Sequence, residues 1–442
     1  MSNRPASLDE WDSFSIKEIL SAPLRDFGSF SLTNLIEFVE DGVPFIKSES
    51  VKQGFIEKKN ISFINPDVHK KLHKSVVRKG DILYTKIGAL GRVAIYDGSL
   101  GECNSNAATV KINVDESKVD PVYFCYILMS EPTFREFEKN IISTPPRINL
   151  GDISALKLNF PPLENQKKIA LVLSTVDNLI DQTQNLIDKY TAVKQGMMAD
   201  LFSRGIDLSG KADTNENYGQ LRPSFEDAPE LYQETELGWV PKDWEVVKID
   251  DISTQMTNGF VGVATPHYAN ENEVGIRYLY GNNVRADKLE LDTVLKIKPE
   301  FHQKLQKSQL KHGDMLTVQS GHIGTTAIVP ENFGEANCHA LIITRLIQSK
   351  ILPEFLSFYL NSAIGMNRME EIFVGSTIKH VNVKELKSFL VPLPSIGEQK
   401  SALDKIIGAR KLIDDETRYL EKLKLKKKGL MQDLLTGKVK VN

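Results

Sequence analysis

Between Ile169 and Met197, apolar side chains return at alternating steps of three and four residues. They are Ile169, Val172, Val176, Leu179, Leu186, Tyr190, Val193 and Met197, with Thr183 in the polar slot. A mean spacing of 3.5 residues is the seam of a packed helix pair. The rhythm recurs at Ala402, Ile406, Ala409, Ile413, Leu420, Leu423 and Leu430, with Glu416 in the polar slot. Pro161-Pro162 precedes the first stretch, and Gly205 and Gly437 follow the two where a left-handed C-cap stops a helix. Each stretch therefore predicts a rod of ~35 residues and ~50 Å. The seam residues expected to pack are Ile169, Val176, Leu179, Leu186 and Tyr190 of the first rod and Ile406, Ile413 and Leu420 of the second. The polar slots, Thr183 and Glu416, are of the kind that fixes register. The alternative is that each helix lies on a globular core.

The rods belong to a duplication. At an offset of 233 residues, Trp11 meets Trp244, Ile16 meets Ile249, Gly42 meets Gly275, and Gly80-Asp81 meets Gly313-Asp314. Gly88 and Gly91 meet Gly321 and Gly324, Asn104 meets Asn337, Ser143-Thr144 meets Ser376-Thr377, and Gln166-Lys167 meets Gln399-Lys400. One register held that long marks a repeat. Each copy opens with a mixed globular part. Asp81–Tyr84 and Val93–Tyr96 read as strands bracketing a Gly-containing turn, as do Asp314–Val318 and Thr326–Val329. Pro121–Met129 and Pro353–Leu360 read as helices with proline in the first turn. The fold class expected is α+β: two tandem globular parts with two long helices packed as an antiparallel coiled coil. The domains expected are 1–160 and 237–393, with helical segments 161–205 and 394–442.

Charge separates out a connector. Residues 206–236 hold eight carboxylates against Lys211 and Arg222, so the segment carries −6 and the remainder +3 of a net −3. With Ser209-Gly210, Arg222-Pro223, Ala228-Pro229 and no apolar period, it reads as a loop of modest order. The small net charge speaks against a basic nucleic-acid domain, yet it leaves room for local basic patches. Cys103, Cys125 and Cys338 form no C-x-x-C pair, which argues against a disulfide framework or a zinc site. No apolar run approaches a membrane span and the first residues lack a signal-peptide core, so the cytoplasm is the expected compartment and a membrane is not an expected partner.

Motifs for catalysis are missing from the sequence. Gly437-Lys438-Val439 fails the phosphate-loop pattern, the eight histidines hold no H-E-x-x-H, and no G-x-S-x-G occurs. Asp120-Pro121-Val122-Tyr123 is close to the [DN]-P-P-[YF] motif of amino-methyltransferases, but one proline is missing and no Gly-rich cofactor loop accompanies it. A helix start explains it better, and no catalytic or metal-binding residue is expected.

What differs between the copies is polar. In the Gly-bracketed turn, Lys86 and Arg92 of the first copy stand where the second has Gln319 and Thr325, and His322 replaces Ala89. After the shared glycine come Lys47 in one copy and Asn282, Asn283 and Arg285 in the other. Near the end of each globular part, Pro146-Arg147 corresponds to Lys379-His380. Such side chains read base edges or hold phosphates. Lys47, Lys86, Arg92, Arg147, Asn282, Asn283, Arg285, Gln319, His322, Thr325, Lys379 and His380 are therefore the candidate DNA-binding residues. Solvated loop residues on hairpin turns are the alternative.

Taken together, the chain resembles the specificity (S) subunits of Type I restriction-modification enzymes. The resemblance rests on the tandem units, on Lys79-Gly80-Asp81-Ile82-Leu83 and Gly313-Asp314-Met315-Leu316, and on the helix openings Pro161-Pro162-Leu163-Glu164-Asn165-Gln166-Lys167 and Pro394-Ser395-Ile396-Gly397-Glu398-Gln399-Lys400. It extends to Leu237-Gly238-Trp239-Val240-Pro241-Lys242-Asp243-Trp244, of which Leu8-Asp9-Glu10-Trp11 is a shortened counterpart. The resemblance implies two target-recognition domains, each reading half of a bipartite, asymmetric site in double-stranded DNA. It implies helices that act as a ruler for the spacer and dock methyltransferase (M) subunits, usually two, which restriction (R) subunits join. S-adenosylmethionine, ATP and magnesium would be cofactors of those partners, with none in this chain. Two rival readings remain: a divergent DNA methyltransferase, and a coiled-coil scaffold without a DNA role.

Overall fold

A computed structural model describes residues 11–28, 30–139, 141, 146–210, 213–375 and 379–441. The Ser143-Thr144 and Ser376-Thr377 repeat and Leu8-Asp9-Glu10 lie outside the described residues. The chain forms two compact units, residues 1–184 with 418–442, and residues 185–417. Each unit thus joins one globular part to the opening half of one long helix and the closing half of the other.

In the first unit the strands Leu20–Arg25, Thr109–Val114, Ile82–Thr85 and Val93–Ile95 form an antiparallel sheet in that spatial order. In the second unit Ser253–Asn258, Leu341–Leu346, Met315–Val318 and Thr326–Ile328 repeat the order. A second sheet contains one parallel pair in each unit, Val43–Ile46 beside Cys103–Ser105 and Ile276–Leu279 beside Ala336–Cys338. The mixed sheet and helix content is α+β, as the pattern predicted.

Both copies share a polar fastening that the sequence did not announce. In the first, the His69 Nδ1–H donates to Asn104 Oδ1 at 2.5 Å, and the Asn104 amide donates to the Leu72 carbonyl and Ser75 Oγ at 3.0 and 2.9 Å. In the second, His302 meets Asn337 in the same way, and the Asn337 amide donates to the Leu305 carbonyl and Ser308 Oγ at 3.1 and 3.0 Å. Asn104 and Asn337 are fully buried on their strands. Buried amides satisfied on both sides tie the short helices Pro66–Lys71 and Pro299–Lys304 to the second sheet.

The long helices run Leu163–Ser203 and Ile396–Leu434. Within the first unit, Ile169, Ala170 and Leu173 share a core with Leu434 and Leu435 from the far end of the second helix. Within the second unit, Met198, Leu201 and Phe202 share a core with Ala402, Leu403 and Ile406. Start meets end in both, so the helices pair antiparallel. Their openings are latched by equivalent glutamines. Gln166 accepts the Asp120 N–H at 3.0 Å and donates to the Pro161 and Lys118 carbonyls. Gln399 accepts the Leu352 N–H at 2.8 Å and donates to the Pro394 and Lys350 carbonyls. This gives the P-x-x-x-x-Q spacing a physical role.

The seam of the second helix lies where the spacing puts it: Ala402, Ile406, Leu420 and Leu423 are buried and Ile413 is half-buried. The first helix differs. Ile169, Val176 and Thr183 are buried and Tyr190 is half-buried, but Leu179 is 38% exposed and Val172 and Val193 face outward. Leu173 takes the inward position beside Val172, Ile180 is more covered than Leu179, and Leu186 and Ile187 are both half-buried. Neighbouring apolar residues at each of these steps admit two phases, and packing selected the later one at 173 and 180 and neither at 186 and 187. The Thr183 hydroxyl is satisfied by the Leu179 carbonyl of its own helix, at 2.7 Å.

The connector corrects the expectation of a loose loop. Tyr232–Thr235 and Gly238–Pro241 form a hairpin, and Ile206 bridges Leu221. Arg222 is buried and bonds Glu398 Oε1 at 2.5 Å, Asp243 at 2.6 Å and the Arg204 carbonyl at 3.1 Å. Glu398 also accepts from the Ile206 N–H at 2.7 Å and from the Trp244 indole at 3.0 Å. Burial pushes the Glu398 carboxyl above its usual value, against the pull of these donors. Gly205, at φ +64°, leaves the space that Glu398 and Trp244 fill, since a Cβ there would lie 2.1 Å from the carboxylate. Among the described residues no helix is long and apolar enough to cross a membrane, and no His, Cys, Asp and Glu cluster suits a metal. All three cysteines are buried free thiols.

Candidate nucleic-acid interface

The Gly-bracketed turn and the segment after the residue-140 region meet in each unit, through one backbone frame. In the first, the Ile148 N–H donates to the Lys86 carbonyl at 3.0 Å and the Gly88 N–H to the Pro146 carbonyl at 2.9 Å. In the second, the Val381 N–H donates to the Gln319 carbonyl at 3.2 Å. Lys86, Arg92 and Arg147 are thereby gathered on one loop pair. Gln319, His322, Thr325, Lys379 and His380 are gathered on the equivalent one.

Packing explains the glycines. Gly91 has φ +78° and a Cβ there would lie 2.6 Å from the ring of Phe134, on the helix Glu131–Glu138. Gly324 has φ +80° and would meet Met369 at 2.8 Å, on the helix Ala363–Glu371. Positive φ and a side chain pressed against the turn both require glycine there.

The gathered side chains divide by exposure. Arg147 and Lys379 are exposed and Arg92 is half-buried. Lys86 is only 3% exposed and is ion-paired to Asp26 at 3.1 Å. Gln319 donates to Asn258 Oδ1 at 3.1 Å, so the equivalent positions each bond the end of the edge strand. His322 meets the Val284 carbonyl through Nε2 at 2.9 Å and Arg285 at 3.5 Å, and Arg285 is ion-paired with Glu290 at 3.1 Å. His380 pairs its backbone with Val374 in both directions, and Thr325 closes the turn through the Val318 N–H. Lys47 lies over the exposed Phe38 ring at 4.2 Å. Asn282 is exposed, whereas Asn283 is 1% exposed. The Asn283 carboxamide accepts the Tyr280 N–H at 2.9 Å and donates to the Glu290 carbonyl at 3.1 Å. Lys86 and Asn283 thus hold their loops rather than point outward.

Sequence reasoning missed other side chains here. Gln53 donates to the Gly91 carbonyl at 3.2 Å and so braces the first Gly-bracketed turn. Asp26 and Asn258 hold positions 86 and 319. No local motif marks them, because their partners are distant in the chain.

The profile of the family described as Type I restriction modification DNA specificity domain matches residues 8–191 and 241–424. A putative type I restriction enzyme MjaX specificity subunit of Methanocaldococcus jannaschii is 25% identical over 441 residues, 98% of this chain and 94% of that protein. The MjaVIII specificity subunit of the same organism is 25% identical over 410 residues, 92% of this chain and 88% of its own. A crystal structure of the Type I restriction-modification S subunit from M. genitalium shares the fold with a TM-score of 0.55 at 15% identity, covering 96% of each chain. Two profile matches in tandem, in the register of the internal repeat, show that the chain belongs to the family of Type I restriction modification DNA specificity domains.

Proposed function

We propose that the chain is the DNA-reading, non-catalytic subunit of a Type I methyltransferase and restriction assembly, and that each unit reads one half of a bipartite site. The observation that carries this is the pair of equivalent loop frames that present different side chains. A shared backbone frame gives both units the same approach to a duplex. Arg92 and Arg147 on one frame, and Gln319, His322 and Lys379 on the other, then give two different half-sites. Lys47, Asn282, Arg285, Thr325 and His380 extend those surfaces, while Lys86 and Asn283 act as positioning residues. The small net charge fits a subunit whose partners supply much of the phosphate contact.

The helices supply the docking face. In the first unit Leu171, Val172, Leu179, Tyr419 and Leu425 are exposed, and in the second Val193, Ile407 and Leu412. Apolar helix positions left outside a seam fit partner helices. Two methyltransferase subunits would take them, with restriction subunits joining that complex. S-adenosylmethionine, ATP and magnesium would be bound by those partners, and the assembly would act in the cytoplasm.

The test is selection from randomised duplexes by the chain assembled with its methyltransferase subunits. Two separated, unlike half-sites are expected. Recovery of sequences without any shared pattern would contradict the reading.

A further inference from the structure

In the second unit, the edge strand Ser253–Asn258 runs into the loop Gly259-Phe260-Val261-Gly262-Val263-Ala264. This loop is built. The Gly259 N–H donates to the Leu341 carbonyl at 2.7 Å and the Phe260 N–H to the Cys338 carbonyl at 3.0 Å, while the Ala340 N–H donates back to the Phe260 carbonyl at 3.1 Å. The Phe260 ring turns inward and packs edge-on against Phe301, with centroids 5.2 Å apart. It then passes under Gly262 so closely that a Cβ there would lie 2.8 Å from the ring. Ala264 is buried. With Phe260 and Ala264 turned in and Gly262 held against the ring, Val261 and Val263 are left outside, 70% and 75% exposed.

Two valines on a braced loop place methyl groups in water where a polar loop residue would cost nothing. Their position says what covers them. The residue before the loop is Asn258, whose carboxamide holds Gln319 on the reading turn at 3.1 Å. The apolar tip therefore adjoins the polar reading surface of this unit. In the first unit the corresponding strand end carries Asp26, which pairs with Lys86. In a duplex, the apolar feature exposed among groove donors and acceptors is the C5-methyl of thymine, and apolar side chains recognise it.

We propose that Val261 and Val263 contact thymine C5-methyl groups in the half-site read by the second unit. This rests on the DNA-reading function proposed above and assigns two further residues and one base chemistry to it. Burying one methyl-sized group is worth about a fourfold change in affinity.

The experiment uses the full chain assembled with its methyltransferase subunits and a duplex carrying its site. Each thymine in turn is replaced by deoxyuridine, which pairs alike but lacks the methyl. One or two positions in one half-site are expected to lose about fourfold in binding. The Val261→Ala/Val263→Ala variant, altered only at exposed positions, is expected to bind the thymine duplex about as weakly as the parent binds the deoxyuridine duplex. It should no longer distinguish the two. Equal binding at every deoxyuridine, with the rest of the site still recognised, overturns this inference and leaves the DNA-reading function standing. A variant that keeps the thymine preference but binds methyltransferase subunits poorly overturns it in favour of a protein-docking loop. Absence of any sequence-dependent binding would overturn both.

Discussion

Arg222→Ala tests the node that holds the connector to the second helix. The Arg222 and Glu398 side chains are 6% and 3% exposed, and their guanidinium and carboxylate oxygen are 2.5 Å apart. Removing the guanidinium leaves Glu398 with the Ile206 amide and the Trp244 indole as donors but no cation. Orphaning one partner of a buried ion pair costs about 3–5 kcal/mol. That corresponds to roughly a 150- to 5,000-fold shift of the unfolding equilibrium of the second unit. Because burial already raises the Glu398 carboxyl, the variant has a route of relief: the carboxyl takes up a proton in the fold before it does in the unfolded chain. The deficit should therefore grow as pH rises above the unfolded carboxyl value of about 4.3 and shrink below it. Adding Glu398→Gln removes the orphaned charge, so the double variant should recover at least ~1 kcal/mol relative to Arg222→Ala alone. Urea unfolding of the full chain, followed by tryptophan fluorescence, reads all three. A cost below ~1 kcal/mol for Arg222→Ala, or strictly additive losses in the double variant, would refute the account of a buried, mutually dependent pair.

Other expectations follow from single sites. Arg92→Ala should relax one position of one half-site in the selected DNA; a uniform loss over all sequences would make Arg92 a phosphate contact instead. Leu179→Asp, at an exposed helix position, should leave the thermal midpoint of the chain nearly unchanged and weaken its capture of methyltransferase subunits at least tenfold; a lowered midpoint with intact capture would place Leu179 in the seam after all. Burial lowers the His339 pKa below its ordinary 6.5, so its imidazole should titrate below that of an unfolded-chain histidine in an NMR series. Its contribution to stability should then be complete above the unfolded value and be lost as pH falls from there through the lowered folded value, and titration at or above 6.5 would contradict that environment. Inserting one heptad in both long helices adds about 10 Å and should lengthen the spacer of the recognised site by about three base pairs; an unchanged spacer would refute the ruler.

The repeat, the strand pairs around the Gly turns and both long helices were legible because each rests on a local or periodic signal. The second helix also carries apolar neighbours, at 406 and 407, at 412 and 413, and at 419 and 420, but packing there buried Ile406 and Leu420 in the phase the spacing gave. The first has apolar residues at 172 and 173, at 179 and 180, and at 186 and 187, so periodicity alone had no means of choosing. The connector was misread because Arg222, in a segment without apolar period, finds its partner Glu398 at a distance of 176 positions. The Gly-bracketed loops proposed to read DNA were recognisable as turns from their glycines, and as divergent from their differences between copies. Which of their side chains point outward was not, because Asp26 and Asn258 capture positions 86 and 319 through tertiary contacts.

The central claim is that two dissimilar loop surfaces on a repeated frame confer sequence on an assembly that methylates DNA. Mapping N6-methyladenine across the genome, in cells that carry the chain with its methyltransferase and in cells that lack only the chain, tests it directly. A bipartite, asymmetric methylated motif that disappears with the chain is the expected result. An unchanged map, with the methyltransferase demonstrably active, would contradict it.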